Sequence, residues 1–256
     1  MIRILFSISL LIFSLSIYSQ DYLIDKDSRD WLNLKGDVKS VRQTKFSLDS
    51  DGKEKPRKTN ARRIGDVLFA LYSENFILDN SLIKFSEDGK IIEWLEYNDY
   101  GSVSDTFNIQ YVSKSLIPNY ILNTRQGDTL FLVSYTYDKK NRRINAQYQD
   151  SYLLLTADYR YPKKDNYIIN EFHQESDTSY LNYVELSSDT YLSVFMDSHR
   201  DTMRVDTMTF NDKFDLIAKG YMDFKLKYDE NGNWIERQEI YNGHVNFIFR
   251  REIEYY

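Results

Sequence analysis

The chain has 256 residues, 42% of them hydrophobic and 28% charged, the composition of a folded protein and not of a disordered one. It contains no cysteine, which excludes a disulfide scaffold, a thiolate metal site, a cysteine nucleophile and a thioether-linked lipid. A formal net charge of −6 argues against nucleic acid as the main partner.

The first residues read as an export signal. Arg3 supplies a short basic start, and residues 4–17 are apolar apart from Ser7, Ser9, Ser14 and Ser16. The small Ser19 then precedes Gln20 and the acidic Asp21. This is the pattern of a cleaved secretory signal covering residues 1–19, with residues 20–256 left as a single β-rich repeat domain. As a helix the apolar stretch reaches about 21 Å, short of a hydrocarbon core of about 30 Å. No later stretch resembles a membrane-spanning helix. The expected location is therefore the periplasm, the outer-membrane surface or the exterior, with no transmembrane segment after cleavage.

Residues 21–30 are a polar lead-in. Trp31, Leu32 and Leu34 precede Gly36, and the first strand is expected over Val38–Leu48. Asp49-Ser50-Asp51-Gly52 is a turn signal, because Asp bonds its own backbone and Gly accepts φ > 0. Residues 53–63 are strongly basic and read as a solvated loop. Residues 60–76 are ambiguous. Ile64, Val67, Leu68 and Leu71 have helical spacing behind a possible Asn60 cap, yet residues 67–72 also read as a short strand. A strand is favoured because everything beyond reads as β. Phe224, Leu226 and Tyr228 alternate with Lys225, Lys227 and Asp229. Phe247, Phe249, Ile253 and Tyr255 share one face, interrupted by Arg251, and Ile248, Arg250, Glu252 and Glu254 share the other. A period of two means strands with one buried and one wet face. The 16% aromatic content, beside only 9 Gly and 3 Pro, fits long strands. The expected fold is all-β, an antiparallel sheet of consecutive hairpins with little helix.

Four segments share a pattern. They begin at Phe85, Tyr137, Phe210 and Tyr228, and each has Ile seven positions later: Ile92, Ile144, Ile217 and Ile235. A second aromatic follows: Tyr97, Tyr148, Tyr221 and Tyr241. The leading aromatic ends one strand, a polar turn follows, and Ile opens the returning strand. Phe214 stands where Gly or Asn stands in the other three, so that turn is expected to differ.

The Tyr228-Asp229-x-x-Gly232-Asn233 signature resembles the tyrosine–aspartate (YD) repeats of Rhs-type proteins. Leu34-Lys35-Gly36-Asp37-Val38-Lys39-Ser40-Val41, together with the segment from Leu226 to Tyr255-Tyr256, is similar to secreted Bacteroidota proteins of unknown function. Those open with L-K-G-x-V-K-S-V and close with a Y-D-x-x-G-N-W hairpin. The resemblance implies an exported repeat β protein and carries over no catalytic residue.

Motifs for chemistry are absent. His173, His199 and His244 have no ligand partner at short spacing, so no metal motif and no cofactor is expected. Residues 47–52 resemble the start of a calcium loop, but the twelfth position is Lys58, where a bidentate Glu is needed. There is no nucleophile elbow and no Gly-rich phosphate loop. Asp206, Asp212 and Asp215, or Glu93 and Glu96, are the acids available to a hydrolase with paired carboxylates. Aromatics are the surplus, and Trp94 and Trp234 are the candidate binding residues. Their spacing from Ile92 and Ile235 puts them on opposite faces, at least one outward. The leading reading is a non-catalytic binding or structural protein of the bacterial envelope, with an envelope protein or a glycan as partner, held on an open sheet face or added to a free sheet edge. The alternative is an envelope- or polysaccharide-acting hydrolase.

Overall fold

The computed structural model describes residues 32–56, 80–98, 100–112, 114–140, 142–151, 154–160, 167–174, 177–187, 189–213 and 215–256. The export signal, its cleavage site and the segment 60–76 lie outside them. The protein is all-β, with seventeen strands in one antiparallel sheet. The first are β1 (Val38–Leu48), β2 (Glu54–Pro56), β3 (Ser81–Phe85), β4 (Ile91–Tyr97), β5 (Val103–Gln110) and β6 (Tyr120–Arg125). They continue as β7 (Asp128–Tyr137), β8 (Arg143–Asp150), β9 (Leu154–Arg160), β10 (Tyr167–Gln174), β11 (Asp177–Ser187) and β12 (Thr190–Met196). The last are β13 (Thr202–Phe210), β14 (Leu216–Lys219), β15 (Met222–Tyr228), β16 (Trp234–Tyr241) and β17 (His244–Tyr255).

From β3 to β17 every strand pairs with the next in sequence, as short connections dictate. β1 then pairs with β3 on one side and with β17 on the other, from Val38↔Tyr255 to Ser47↔Phe247. The sheet is therefore a closed ring, and β2 is a short hairpin arm on the end of β1. Closure satisfies both edges, so the free edge expected to accept a partner strand is absent among the described strands.

The four sequence blocks are hairpins of one construction. Their turns close by Ser86 N donating to Lys90 O at 2.8 Å, Asp138 N to Arg142 O at 2.9 Å, Asn211 N to Asp215 O at 3.0 Å and Asp229 N to Asn233 O at 2.9 Å. In the last three, the Asp or Asn Oδ1 accepts two further backbone N–H groups inside the turn. The third turn shares the closing bond and the Asn211 side-chain bonds of this frame, and Phe214 itself lies outside the described residues. Gly232 has φ +84, and a Cβ there would meet Lys213 Nζ at 3.2 Å, so this position suits glycine alone.

In all four hairpins the leading aromatic pairs six residues on, not seven. Phe85 faces Ile91, Tyr137 faces Arg143, Phe210 faces Leu216 and Tyr228 faces Trp234. The preceding pairs, such as Lys84↔Glu93 and Lys227↔Glu236, skip Ile92, Ile144, Ile217 and Ile235. The shared isoleucine is a β-bulge, the extra residue on the returning strand. All four turns lie on one rim of the ring. Leu32, Leu34 and Ile117 pack into that end with Val38, Val41, Phe85, Trp94 and Phe107 and make one apolar core.

Candidate binding site on the inner wall

Residues facing each other across a ladder share a side of the sheet, so the register sorts inner from outer wall all the way round. The core marks the inside. Val41, Ile83 and Trp94 form one inner row, and Phe107, Asn123 and Phe131 continue it. Around β1–β4 and β15–β17 the outer wall carries ion pairs, whereas Leu154, Val184 and Val205 stand exposed on the outer wall of β9–β13. Lys84 Nζ lies 2.6 Å from Glu93 Oε2, and Lys227 Nζ lies 2.7 Å from Glu236 Oε1. Arg250 bridges Glu236 and Glu54.

Above the apolar row runs a belt of buried polar side chains. Arg251 is opposite Gln43, Gln43 opposite Ser81, Ser81 opposite Glu96 and Glu96 opposite Asp105. All five are buried. Arg125 grips Asp105 with a two-point fork, Nε to Oδ1 at 3.2 Å and Nη2 to Oδ2 at 3.0 Å. Asn123, 0% exposed, lies beneath, and neither of its amide atoms has a hydrogen bond among the described residues.

Trp94 and Trp234 both face inward and are 0% and 5% exposed. The expectation that one would be outward fails because of the bulge. Ile92 and Ile235 each add a residue, so counting from them by simple alternation reverses a face. Trp94 stacks on Phe107 with centroids 4.9 Å apart and is core. Trp234 carries the Arg251 guanidinium, its Cζ 3.4 Å from the ring centroid.

Arg251 donates from Nε to Gln43 Oε1 at 3.0 Å, and among the described residues it has no carboxylate within ion-pair distance. Burial lowers its pKa well below the usual arginine value, and the neighbouring Arg237 charge adds to that against the opposing pull of the Asp215 carboxylate. Arg237 pairs with Glu239 at 3.0 Å and lies over Phe249, its Cζ 4.4 Å from the centroid. Lys45 Nζ lies 4.5 Å from the centroid of Phe247. Register places Leu226, Arg237, Phe249 and Lys45 side by side across β15, β16, β17 and β1.

The two sequence stretches that carry the secreted-protein resemblance meet at one seam. Lys35 N donates to Asn233 Oδ1 at 2.8 Å, and Asn233 Nδ2 donates to Lys35 O at 2.7 Å and to Tyr255 OH at 2.8 Å. Asn33 Nδ2 reaches Asp215 Oδ1 at 3.0 Å. Burial raises the Asp215 pKa against the pull of Lys35, whose own pKa burial lowers.

The remaining sequence candidates are dispersed. Glu93 is on the outer wall and Glu96 on the inner one, while Asp206 pairs with Arg204 at 2.7 Å and Asp212 is exposed. Asp49 holds its own turn and Lys55, as a turn residue does and a calcium ligand does not. His173 is on β10, His199 in the β12–β13 turn and His244 at the start of β17. Among the described residues no three acidic or histidine side chains gather as a metal site would require. The pairing of Glu96 with Asp105 was not marked in the sequence, because it needs the β4–β5 register. Arg251 was marked, as the break in the apolar alternation of β17.

No family model matches the chain, and no curated protein matches it. Among solved structures it is similar to a porin-like protein from Bacteroides uniformis ATCC 8492, with a TM-score of 0.41 and 9% identity over 85% of this chain and 98% of that one. No helix among the described residues is long and apolar enough to cross a membrane.

Proposed function

We propose that the chain is an exported, non-catalytic binding protein of the bacterial envelope, a water-soluble barrel whose ligand lies on the inner wall. One observation carries this. Tyr191, Phe195, Met208, Met222, Phe224 and Leu226 face inward on β12–β15, yet none of them is buried. Inward side chains of a closed ring stay accessible only where the interior is open, whereas the β3–β9 side of the same interior is packed. The open side is aromatic and Met-rich, which suits an apolar or amphipathic molecule. Export rests on the pattern of residues 1–19, and kinship with secreted Bacteroidota repeat proteins on the two terminal motifs.

The test is the fluorescence of an uncharged naphthylamine probe with the folded protein. Binding should be saturable, weakened by Leu226→Asn on the inner wall and unchanged by Val205→Asn on the outer wall. A probe that ignores the folded barrel, or responds equally to both variants, contradicts the proposal.

The Glu96–Asp105 pair favours a second reading, a hydrolase with two carboxylates. Against it, both acids are buried and Asp105 is committed to Arg125. Hydrolysis of envelope polysaccharide that is abolished by Glu96→Gln would establish that reading in place of the first.

A further inference from the structure

We propose that Arg251, flanked by Arg237 and Lys45, receives the carboxylate head of a long-chain amphipathic ligand, whose tail runs along the inner wall of β15. The inference rests on the inner-wall reading above and gives its ligand a chemical class. Three cations sit within neighbouring strands of the inner wall, and Arg237 is paired with Glu239. Arg251 is 6% exposed; among the described residues its contacts are a neutral amide and an indole face, and Asp215 acts on it through space without an ion pair in contact. A buried guanidinium with no carboxylate in contact is costly, and an anion supplied by a ligand offsets that cost. Two aspects of the geometry fit a head group. Gln43 and Trp234 fix one edge and one face of the guanidinium, so its remaining N–H groups keep a set direction. Leu226 lies directly opposite Arg237 and Phe224 opposite Glu239, so apolar wall begins where the cations end. An anion without a tail leaves that wall wet, and a tail without an anion leaves Arg251 with no carboxylate in contact.

The test is calorimetric titration of the full-length mature protein with oleate and with oleyl alcohol, which share the tail and differ in the head. The expected result is oleate binding about tenfold or more tighter than the alcohol. In Arg251→Gln that preference should vanish while alcohol affinity stays. Equal affinities in the unaltered protein, or a preference that survives Arg251→Gln, overturn the head-group assignment and leave the inner-wall reading standing. Binding of neither molecule overturns both. If Arg251→Gln does not fold, carboxyl-labelled oleate bound to the unaltered protein decides by NMR. Its signal should stay ionised well below the usual carboxyl range of about 4. Titration at the ordinary value contradicts the assignment.

Discussion

Asn233 shows how one side chain closes a fold. Its amide pairs with both backbone groups of Lys35 and also reaches Tyr255, which ties the lead-in to the last hairpin and the last strand. Asn233→Ala should cost about 2–4 kcal/mol, from the net worth of such bonds plus buried groups left unpaired, read as a lower urea midpoint. A change under about 0.5 kcal/mol would show that the seam is incidental. Asn123 is the opposite case. Its unbonded amide is a burden in the apolar row, so Asn123→Leu should stabilise the protein, by up to about 1–3 kcal/mol. Loss of stability would mean that the amide has a partner in solution. Asp215 gives a pH signature. Its folded pKa is raised above 3.8, so the fold favours the neutral acid. Its contribution is therefore fully present below that value and lost as pH rises through the folded pKa. Stability of the parent protein relative to Asp215→Asn should fall across that window on raising the pH and be flat above it. The sequence showed Arg251 as a break in an apolar face but gave no hint that Gln43 and Trp234 surround it, because those contacts join residues far apart in the chain.

At the scale of elements, the recurrent unit is a hairpin with a bulge. The seven-residue spacing from aromatic to isoleucine was legible in the sequence, and so were the turns. The bulge was not. A strand with one extra residue has the same composition as a regular one, and alternation counted across it points half the side chains the wrong way. That single effect put Trp94 and Trp234 on opposite faces, whereas both face inward. Ile92 is 66% exposed as the extra residue, so Ile92→Thr should change stability by less than about 0.5 kcal/mol. Trp94→Ala, only two residues on, should cost about 3–5 kcal/mol. Deleting Ile144 should leave Ala146 and Tyr148 facing the core, since without the extra residue Thr136↔Asn145 and Tyr137↔Arg143 become consecutive pairs of a regular ladder. Thermal melts of the three variants separate these effects. Similar costs for Ile92→Thr and Trp94→Ala would contradict the register.

For the whole molecule, closure is what creates an inside. An antiparallel sheet was legible from the period of two, and an exposed face or edge was the natural expectation from it. What joins β1 to β17 is a contact between the two ends of the described chain, and no local pattern announces it. The closure turns an aromatic surplus inward and sets Arg251 above the apolar core. Arg42 lies opposite Glu252 on the outer wall of that closing pair, whereas Ile253 points to the inner wall. The chain has no cysteine of its own, so introduced thiols report on this contact without interference. The direct measurement is oxidation of the double variant Arg42→Cys/Glu252→Cys, compared with Arg42→Cys/Ile253→Cys, read by mass spectrometry of the monomer. A closed ring predicts an intramolecular disulfide in the first and none in the second, because only the first pair has the separation and side-chain direction that a disulfide needs. No disulfide in the first, or equal yields in both, would contradict the closed barrel.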